Sequence, residues 1–392
     1  MNIRSTLVTA FAAGLLAACG GGGGGGGGIG GTGTTTGTMH ISLTDAPSCG
    51  YDQVNVTIDR VRVHQSSSAA DADSGWSEVV LTPARRVDLL TLQNGVLEDL
   101  GQTQLPAGKY TQLRLVLAPN DAANPLANSV VPTGGTETAL TTPSAQQSGL
   151  KLNVDIDVAA DKVADVVLDF DACKSVVKRG NSGQYNLKPV INVVPVLSDA
   201  GLRVIGYVDP ALGTATTQVS VQVAGVPVKA TAPDATGKFV LYPVPVGTYD
   251  LVVTANGRVN AVMTGVPVVS TAFTTVNSAA LAISPPVATQ RAVTGTVTPA
   301  TATVRALQPF TGGPTVEVAW GAVDATTGAF SFSLPIEAPV KTAYVANPVT
   351  LTFTPDATAA GKYTLEAASA GVVKTTAINA SAVVPPVTFT FP

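Results

Sequence analysis

Between Leu150 and Val158 apolar and polar side chains alternate without a break. Leu150, Leu152, Val154, Ile156 and Val158 share one face, and Lys151, Asn153, Asp155 and Asp157 share the other. A period of two is the repeat of a strand, so the segment predicts a half-buried antiparallel strand. Residues 111–117 repeat the device, with Thr111, Leu113, Leu115 and Leu117 in phase. In residues 54–63 the phase slips, because Val54, Val56 and Ile58 are followed by Val61 and Val63. A one-residue slip turns every later side chain over, which predicts a bulge or bend at Asp59-Arg60.

The second half of the chain contains a degenerate duplication. Val204-Ile-Gly206-Tyr-Val208-Asp-Pro210-Ala211 matches Val293-Thr-Gly295-Thr-Val297-Thr-Pro299-Ala300. Asp234-Ala-Thr-Gly-Lys-Phe239 matches Asp324-Ala-Thr-Thr-Gly-Ala-Phe330, and Gly247-Thr-Tyr249-Asp-Leu251 matches Gly361-Lys-Tyr363-Thr-Leu365. The order is kept, and the second copy has extra residues around 336–358, between its last two blocks. Two copies predict two similar β units rather than a solenoid, which needs more repeats. Tyr249 and Tyr363 are expected in equivalent places. Gly108-Lys-Tyr110 in the first part resembles the corner devices of β-sandwiches, in which a Tyr hydroxyl bonds back to nearby backbone.

Composition agrees with the pattern. Val, Thr and Ala dominate, and 39 Gly and 27 Pro punctuate them, which indicates an all-β chain rich in turns. The predicted fold class is tandem β-sandwiches, immunoglobulin- or transthyretin-like. Breaks near Ser198–Gly201 and Ser284–Thr289, the second containing Pro285-Pro286, place modules at 38–200, 201–286 and 287–392. Charged residues are 12% of the chain and net charge is −4, so nucleic acid is not an expected partner, since phosphate binding needs a basic face.

The N-terminus has its own signature. Arg4 precedes a short apolar run from Leu7 to Ala18, and the run ends Leu16-Ala-Ala-Cys19. A positive start, a brief apolar core and a small-residue exit mark a secretory signal, too short to span a bilayer. Ending on Cys, residues 1–18 resemble a bacterial lipoprotein signal peptide. The resemblance implies lipidation of Cys19 and a membrane partner held through that anchor. Gly20 after the Cys implies, by resemblance to sorting rules in Gram-negative bacteria, an outer-membrane location. Residues 19–37 then form a Gly- and Thr-rich tether, expected to be flexible because Gly lacks a Cβ. With Cys19 lipidated, Cys49 and Cys173 are the remaining thiols, and in an oxidising compartment they are expected to pair as a disulfide.

Further along, Ile41-Ser-Leu-Thr-Asp-Ala-Pro47, Val54-x-Val-Thr-Ile-Asp-Arg-Val61, Val87-Asp-Leu-Leu90, Leu105-Pro-Ala-Gly-Lys-Tyr110, Leu168-Asp-Phe-Asp-Ala172 and Tyr185-x-Leu-Lys-Pro189 occur in order. Together they resemble the bacterial lipoprotein family known as domain of unknown function 4382, over roughly residues 38–197. That family brings no established activity with it. Gly206, Gly237-x-Phe239 and Pro243-Val-Pro-Val-Gly-Thr-Tyr249 resemble the carboxypeptidase regulatory-like fold, a small transthyretin-like sandwich. Residues 290–392 resemble a diverged copy without the Pro-rich lead-in. The resemblance implies β-sandwiches, some sugar-binding and many serving as spacers.

Catalytic chemistry finds little to work with. Of the two His, His40 alternates with Met39 and Ile41 and so takes the polar face, while His64 ends its strand; both read as surface residues. Neither a Gly-x-Ser-x-Gly elbow, a His-Glu-x-x-His motif nor a Cys-x-x-Cys pair is present. Asp155, Asp157, Asp169 and Asp171 are weak calcium candidates, for if their two strands pair antiparallel the four carboxylates converge. The alternative is a solvated acidic face, with Asp171 capping a helical turn at Ala172-Cys-Lys-Ser. Neither a metal nor a cofactor is expected. Trp76 and Trp320 are expected in cores; exposed in a groove, either one would favour sugar binding. The sequence thus reads as a lipid-anchored, non-enzymatic cell-envelope protein, a scaffold or interaction module. A carbohydrate-binding surface lipoprotein is the alternative and an uncharacterised enzyme the second alternative. A glycan or another envelope protein is the expected partner.

Overall fold

The computed structural model describes residues 35–45, 50–142, 149–196, 201–321 and 323–392. Residues 35–196 supply β1 (Thr36–Asp45), β2 (Tyr51–His64), β3 (Ser77–Asp88), β4 (Glu98–Pro106), β5 (Gly108–Leu117), β6 (Ser129–Pro132), β7 (Thr138–Thr141), β8 (Leu150–Val158), β9 (Val163–Phe170), the single turn α1 (Ala172–Ser175), β10 (Val176–Lys178), β11 (Tyr185–Leu187) and β12 (Ile191–Val196). They form two sheets. One is ordered β12-β9-β1-β4, and the other is built around β6-β2-β5-β8 with β3 beside β2. Their facing sides enclose one core of residues such as Ile41, Val61, Leu115, Ile156 and Leu168. The chain is all-β, as its alternation and composition predict.

The predicted bulge is present. Pairing of β2 with both β3 and β5 shifts register between Ile58 and Arg60, so Val54, Val56 and Ile58 before it and Val61 and Val63 after it all face inward. Tyr110 makes the predicted corner, its hydroxyl donating to the Pro106 carbonyl at 3.0 Å. One strand departs from expectation. On β5 the second face, expected to be polar, is buried as well, including Gln112 and Arg114. The 65–76 loop lies over it, and the Ala69 carbonyl accepts from Arg114 Nη2 at 2.9 Å and from Gln112 Nε2 at 3.3 Å.

The next residues build two sandwiches of the same design. The first copy has β13 (Val204–Tyr207), β14 (Thr217–Val223), β15 (Val226–Thr231), β16 (Lys238–Leu241), β17 (Gly247–Ala255), β18 (Ala261–Val268) and β19 (Thr274–Thr275). The second has β20 (Gln290–Thr298), β21 (Thr303–Pro309), β22 (Thr315–Gly321), β23 (Ala329–Pro335), β24 (Val340–Ala343), β25 (Thr354–Pro355), β26 (Lys362–Ser369), β27 (Val372–Asn379) and β28 (Val387–Thr390). Sheet β16-β13-β19 corresponds to β23-β20-β28, and β15-β14-β17-β18 corresponds to β22-β21-β26-β27. Tyr249 on β17 and Tyr363 on β26 therefore occupy equivalent strands. Equivalent glycines repeat as well. A Cβ on Gly206 would lie 2.5 Å from Phe239 Cζ, and one on Gly295 would lie 2.4 Å from Phe330 Cζ, so each bare backbone seats a ring.

The extra residues of the second copy do not stay in it. β24 pairs in parallel with β18, adding a strand, with β25 beyond it, to the sheet of the first copy. Val340 joins the core of that neighbour. A further apolar patch of Val252, Val262, Phe310 and Val316 lies between the copies. Residues Thr35–Pro392 form one compact unit around three cores, so the sandwiches are not independent beads.

Candidate functional site

The three cores meet at a buried charged junction, built from strand ends. On β9, Val166, Leu168 and Phe170 point into the first core, which leaves Val167 and Asp169 on the other face, against the second module. There Asp169 (4% exposed) hydrogen-bonds the ammonium of Lys229 on β15, itself 3% exposed. Asp171 caps α1, its Oδ1 accepting from the Lys174 amide at 2.9 Å. The Lys174 ammonium lies 3.7 Å from Asp171 Oδ2 and 3.2 Å from Glu317 Oε1 on β22. Glu317 in turn pairs with Arg305 on β21 at 3.3 Å, and Arg305 pairs with Glu366 on β26 at 2.7 Å. An ionic path thus runs from the first module to the third.

Asp45, at the end of β1, completes the group. Its Oδ1 accepts from the Ala172 amide at 2.9 Å, while Oδ2 is buried without a partner. Burial pushes the Asp45 carboxyl well above the usual range, and the nearby charges of Asp171 and Asp169 push the same way. Burial also raises Asp169 and Asp171, against the opposing pull of Lys229 on the first and Lys174 on the second. Charges taken out of water cost free energy that pairing only partly offsets, so these buried pairs add little net stability.

Uncharged contacts lock the same seam. Gln222 Nε2 donates to the Glu317 carbonyl and its Oε1 accepts from the Glu317 amide, both at 2.8 Å, so a side-chain amide pairs with backbone as a neighbouring strand would. Asn94, in the first module, donates its amide to Thr231 Oγ1 at 2.8 Å and accepts from the Val240 amide at 2.5 Å. The Ala325 amide donates to the Lys178 carbonyl at 3.0 Å. Beside the seam a cavity of about 260 Å³ opens, lined by Trp320, Lys174, Asp171, Gln218, Gln222 and Tyr51 among others. The Lys174 ammonium sits 4.8 Å from the centre of the Trp320 ring.

Cys19 and Cys49 lie outside the described residues, and Cys173 is the second residue of α1. The acidic strands do not pair with each other: β8 pairs with β5 in one sheet, and β9 pairs with β1 and β12 in the other. Asp155 and Asp157 are therefore exposed on one sheet, Asp155 meeting Lys109 at 2.7 Å, while Asp169 is buried and Asp171 half-buried at the junction. The four carboxylates do not converge, and among the described residues no group of three or more His, Cys, Asp or Glu is placed to hold a metal. The helical cap, the alternative reading, is what Asp171 makes.

Both tryptophans depart from expectation, being half-buried at surfaces rather than in a core. Trp76 lies over Arg62 and Arg114, cross-strand neighbours on one sheet face, 4.5 and 4.7 Å from its ring centre, and donates to the Ala70 carbonyl at 3.0 Å. His40 is more than a surface residue. Nδ1 is 2.7 Å from Asp165 and Nε2 is 3.0 Å from Asp99, so an imidazolium satisfies both carboxylates. Partial burial acts to lower the His40 pKa, but the hydrogen bonds and charges of Asp165 and Asp99 outweigh it, and the net shift is upward.

Residues 36–189 match the family model described as a domain of unknown function (DUF4382). No curated protein matches the chain. Among solved structures, a chain of a type II cohesin–X-dockerin complex from Acetivibrio cellulolyticus, a C-terminal interface mutant, is similar at 23% identity and a TM-score of 0.19. The match covers 23% of this chain and 60% of that one. The streptococcal ancillary pilin is similar at 10% identity and a TM-score of 0.17, over 90% of this chain and 98% of that one. At these TM-scores the likeness brings neither a site nor a partner to this chain.

Proposed function

We propose that this chain is a lipid-anchored, non-enzymatic cell-envelope protein whose three sandwiches act as one rigid interaction head. The observation that carries the reading is the junction. A scaffold that presents a fixed surface needs its modules held in one arrangement, and the Lys229–Asp169 pair and the Gln222–Glu317 pairing hold them. Modules at 38–200, 201–286 and 287–392 are the units so joined, the last two of carboxypeptidase regulatory-like type. The Leu-Ala-Ala-Cys19 exit supports a lipid anchor, and Gly20 after it supports the outer membrane of a Gram-negative bacterium. Cys49 and Cys173 are proposed as a disulfide. Cys173 is not a free thiol, and Asp45, four residues before Cys49, bonds the amide of Ala172 beside it. The reading is tested by fractionating cells that express the wild type or Cys19→Ala and by cross-linking the intact envelope. The wild type should sediment with membranes and cross-link to a discrete envelope partner, and the variant should be unprocessed or soluble. A variant that fractionates like the wild type contradicts the anchor, and a wild type without cross-linked partners contradicts the scaffold.

A second reading, carbohydrate binding, is favoured by the half-exposed Trp320 ring in the junction cavity, with the amides of Gln218 and Gln222 nearby. Aromatic rings offer apolar area to a sugar face at little entropic cost. A glycan array probed with the full chain and with Trp320→Ala decides it: binding lost in the variant supports the reading, and no binding by the wild type removes it.

A further inference from the structure

Lys229 and Asp169 meet across the boundary between the first and second cores, both almost fully buried, the ammonium hydrogen-bonded to Oδ1. Both backbones are fixed by pairing. β9 lies between β1 and β12, and β15 is held by β14. Two residues on from Lys229, Thr231 Oγ1 accepts from the Asn94 amide at 2.8 Å, so the two modules are tied beside the pair.

We propose that Lys229 and Asp169 condense to an isopeptide, an Nζ–Cγ amide that covalently staples the first module to the second. A proton passes from the ammonium to the carboxylate, giving a neutral amine and a carboxylic acid. The amine lone pair forms the Nζ–Cγ bond, the bond from Cγ to the hydroxyl oxygen breaks, and the hydroxyl leaves with an amine proton as water. Nothing is oxidised or reduced, and no co-reactant is needed.

Two physical terms favour the step. Groups held in contact in one orientation react at effective molarities of roughly 10⁵–10⁸ M, which offsets the unfavourable condensation of free amine and acid in water. Burial removes the water that stabilises the charged pair and favours its neutral form. In keeping with this, the carboxyls of Asp169 and of neighbouring Asp45 and Asp171 are all raised, so the protonated, electrophilic acid is accessible. The pair leaves no local pattern in the sequence, since 60 residues separate its members.

The test is a tryptic digest of the reduced, full-length protein purified from membranes, read by mass spectrometry. The expected product is a branched peptide joining Val163–Lys174 to Val204–Lys238, one water lighter than its parts, with cleavage after Lys229 blocked. Asp169→Asn should give the same branched peptide, with ammonia as the leaving group. Lys229→Arg keeps the charge but lacks the amine and should give none, while near-ultraviolet circular dichroism reports whether it folds. Recovery of Val163–Lys174 and Val204–Lys229 as separate peptides from folded wild type, without the branched species, overturns the proposal whatever the variants do.

Discussion

The hydroxyl of Tyr363 donates to the carbonyl of Pro335 at 2.6 Å, across 28 residues of chain. In the sister module Tyr249 bonds the Pro245 carbonyl at 2.7 Å, four residues back, as Tyr110 bonds Pro106 in the first module. The insertion in the third module takes away the local partner. The hydroxyl bonds instead the proline at which the chain departs toward β24, so the corner closes the mouth of the insertion. Tyr363→Phe leaves a buried acceptor unpaired and should cost about 1–3 kcal/mol. Tyr363 is more deeply buried than Tyr249, so Tyr249→Phe should cost less. Urea titrations of the full-length variants compare the two midpoints directly.

Gly206 and Gly295 test the duplication. A Cβ on Gly206 meets side chains, Phe239 Cζ and Val276 Cγ2 at 2.5 Å, whereas one on Gly295 meets the Val387 carbonyl at 2.1 Å as well as the Phe330 ring. Overpacking of a well-filled core costs about 1–3 kcal/mol, and a clash with paired backbone falls at the top of that range or beyond it. Both alanine variants should be destabilised, Gly295→Ala the more. Thermal unfolding ranks them, and an unchanged melting temperature in Gly295→Ala would contradict the close approach of the Val387 carbonyl.

His40 should make stability depend on pH. Its folded pKa lies above the ordinary histidine value, so the folded state binds the proton more tightly than the unfolded one. The stabilising contribution is fully present below about pH 6.5, the usual histidine value, and is lost as pH rises through the folded pKa. Comparing wild type and His40→Ala by urea titration at several pH values should show a difference that shrinks as pH rises. A difference independent of pH removes the ionic account of His40.

Asp45 should act in the opposite sense. Its folded pKa is raised above that of a free carboxyl, so ionisation is penalised in the folded state, and the penalty grows as pH rises from the unfolded value toward the folded one. Asp45→Asn keeps the acceptor for the Ala172 amide and removes the penalty. It should match or exceed the wild type in stability at neutral pH, and that advantage should fade below about pH 4. A variant much weaker than wild type at neutral pH would mean that the charge itself is needed.

Local patterns in the sequence predict local structure here. The phase slip in 54–63 marks the bulge because a period of two allows no other reading, and the Gly-x-Tyr blocks mark two corners for the same local reason. The Asp155–Asp171 segment misleads because consecutive strands usually pair, whereas residues 159–162 pass from one sheet to the opposite one. The junction is illegible for a different reason. Lys229, Asp169, Glu317 and Gln222 look like ordinary polar positions on their own strands, and their burial is set by neighbouring modules, which no periodicity reports. Trp320 fails as a core prediction in the same way, since its ring covers a seam that the sequence does not reveal.

Hydrogen exchange on the full chain tests most directly whether the modules are one body. The Glu317 amide, bonded to Gln222, and the Val240 amide, bonded to Asn94, belong to the seam and to no sheet-ladder pairing across it. If the junction opens only when the cores do, both amides should exchange as slowly as those of β5 and β17, with a single cooperative opening. Fast exchange at Glu317 and Val240, while β5 and β17 remain protected, would mean that the sandwiches move independently and would contradict the rigid head.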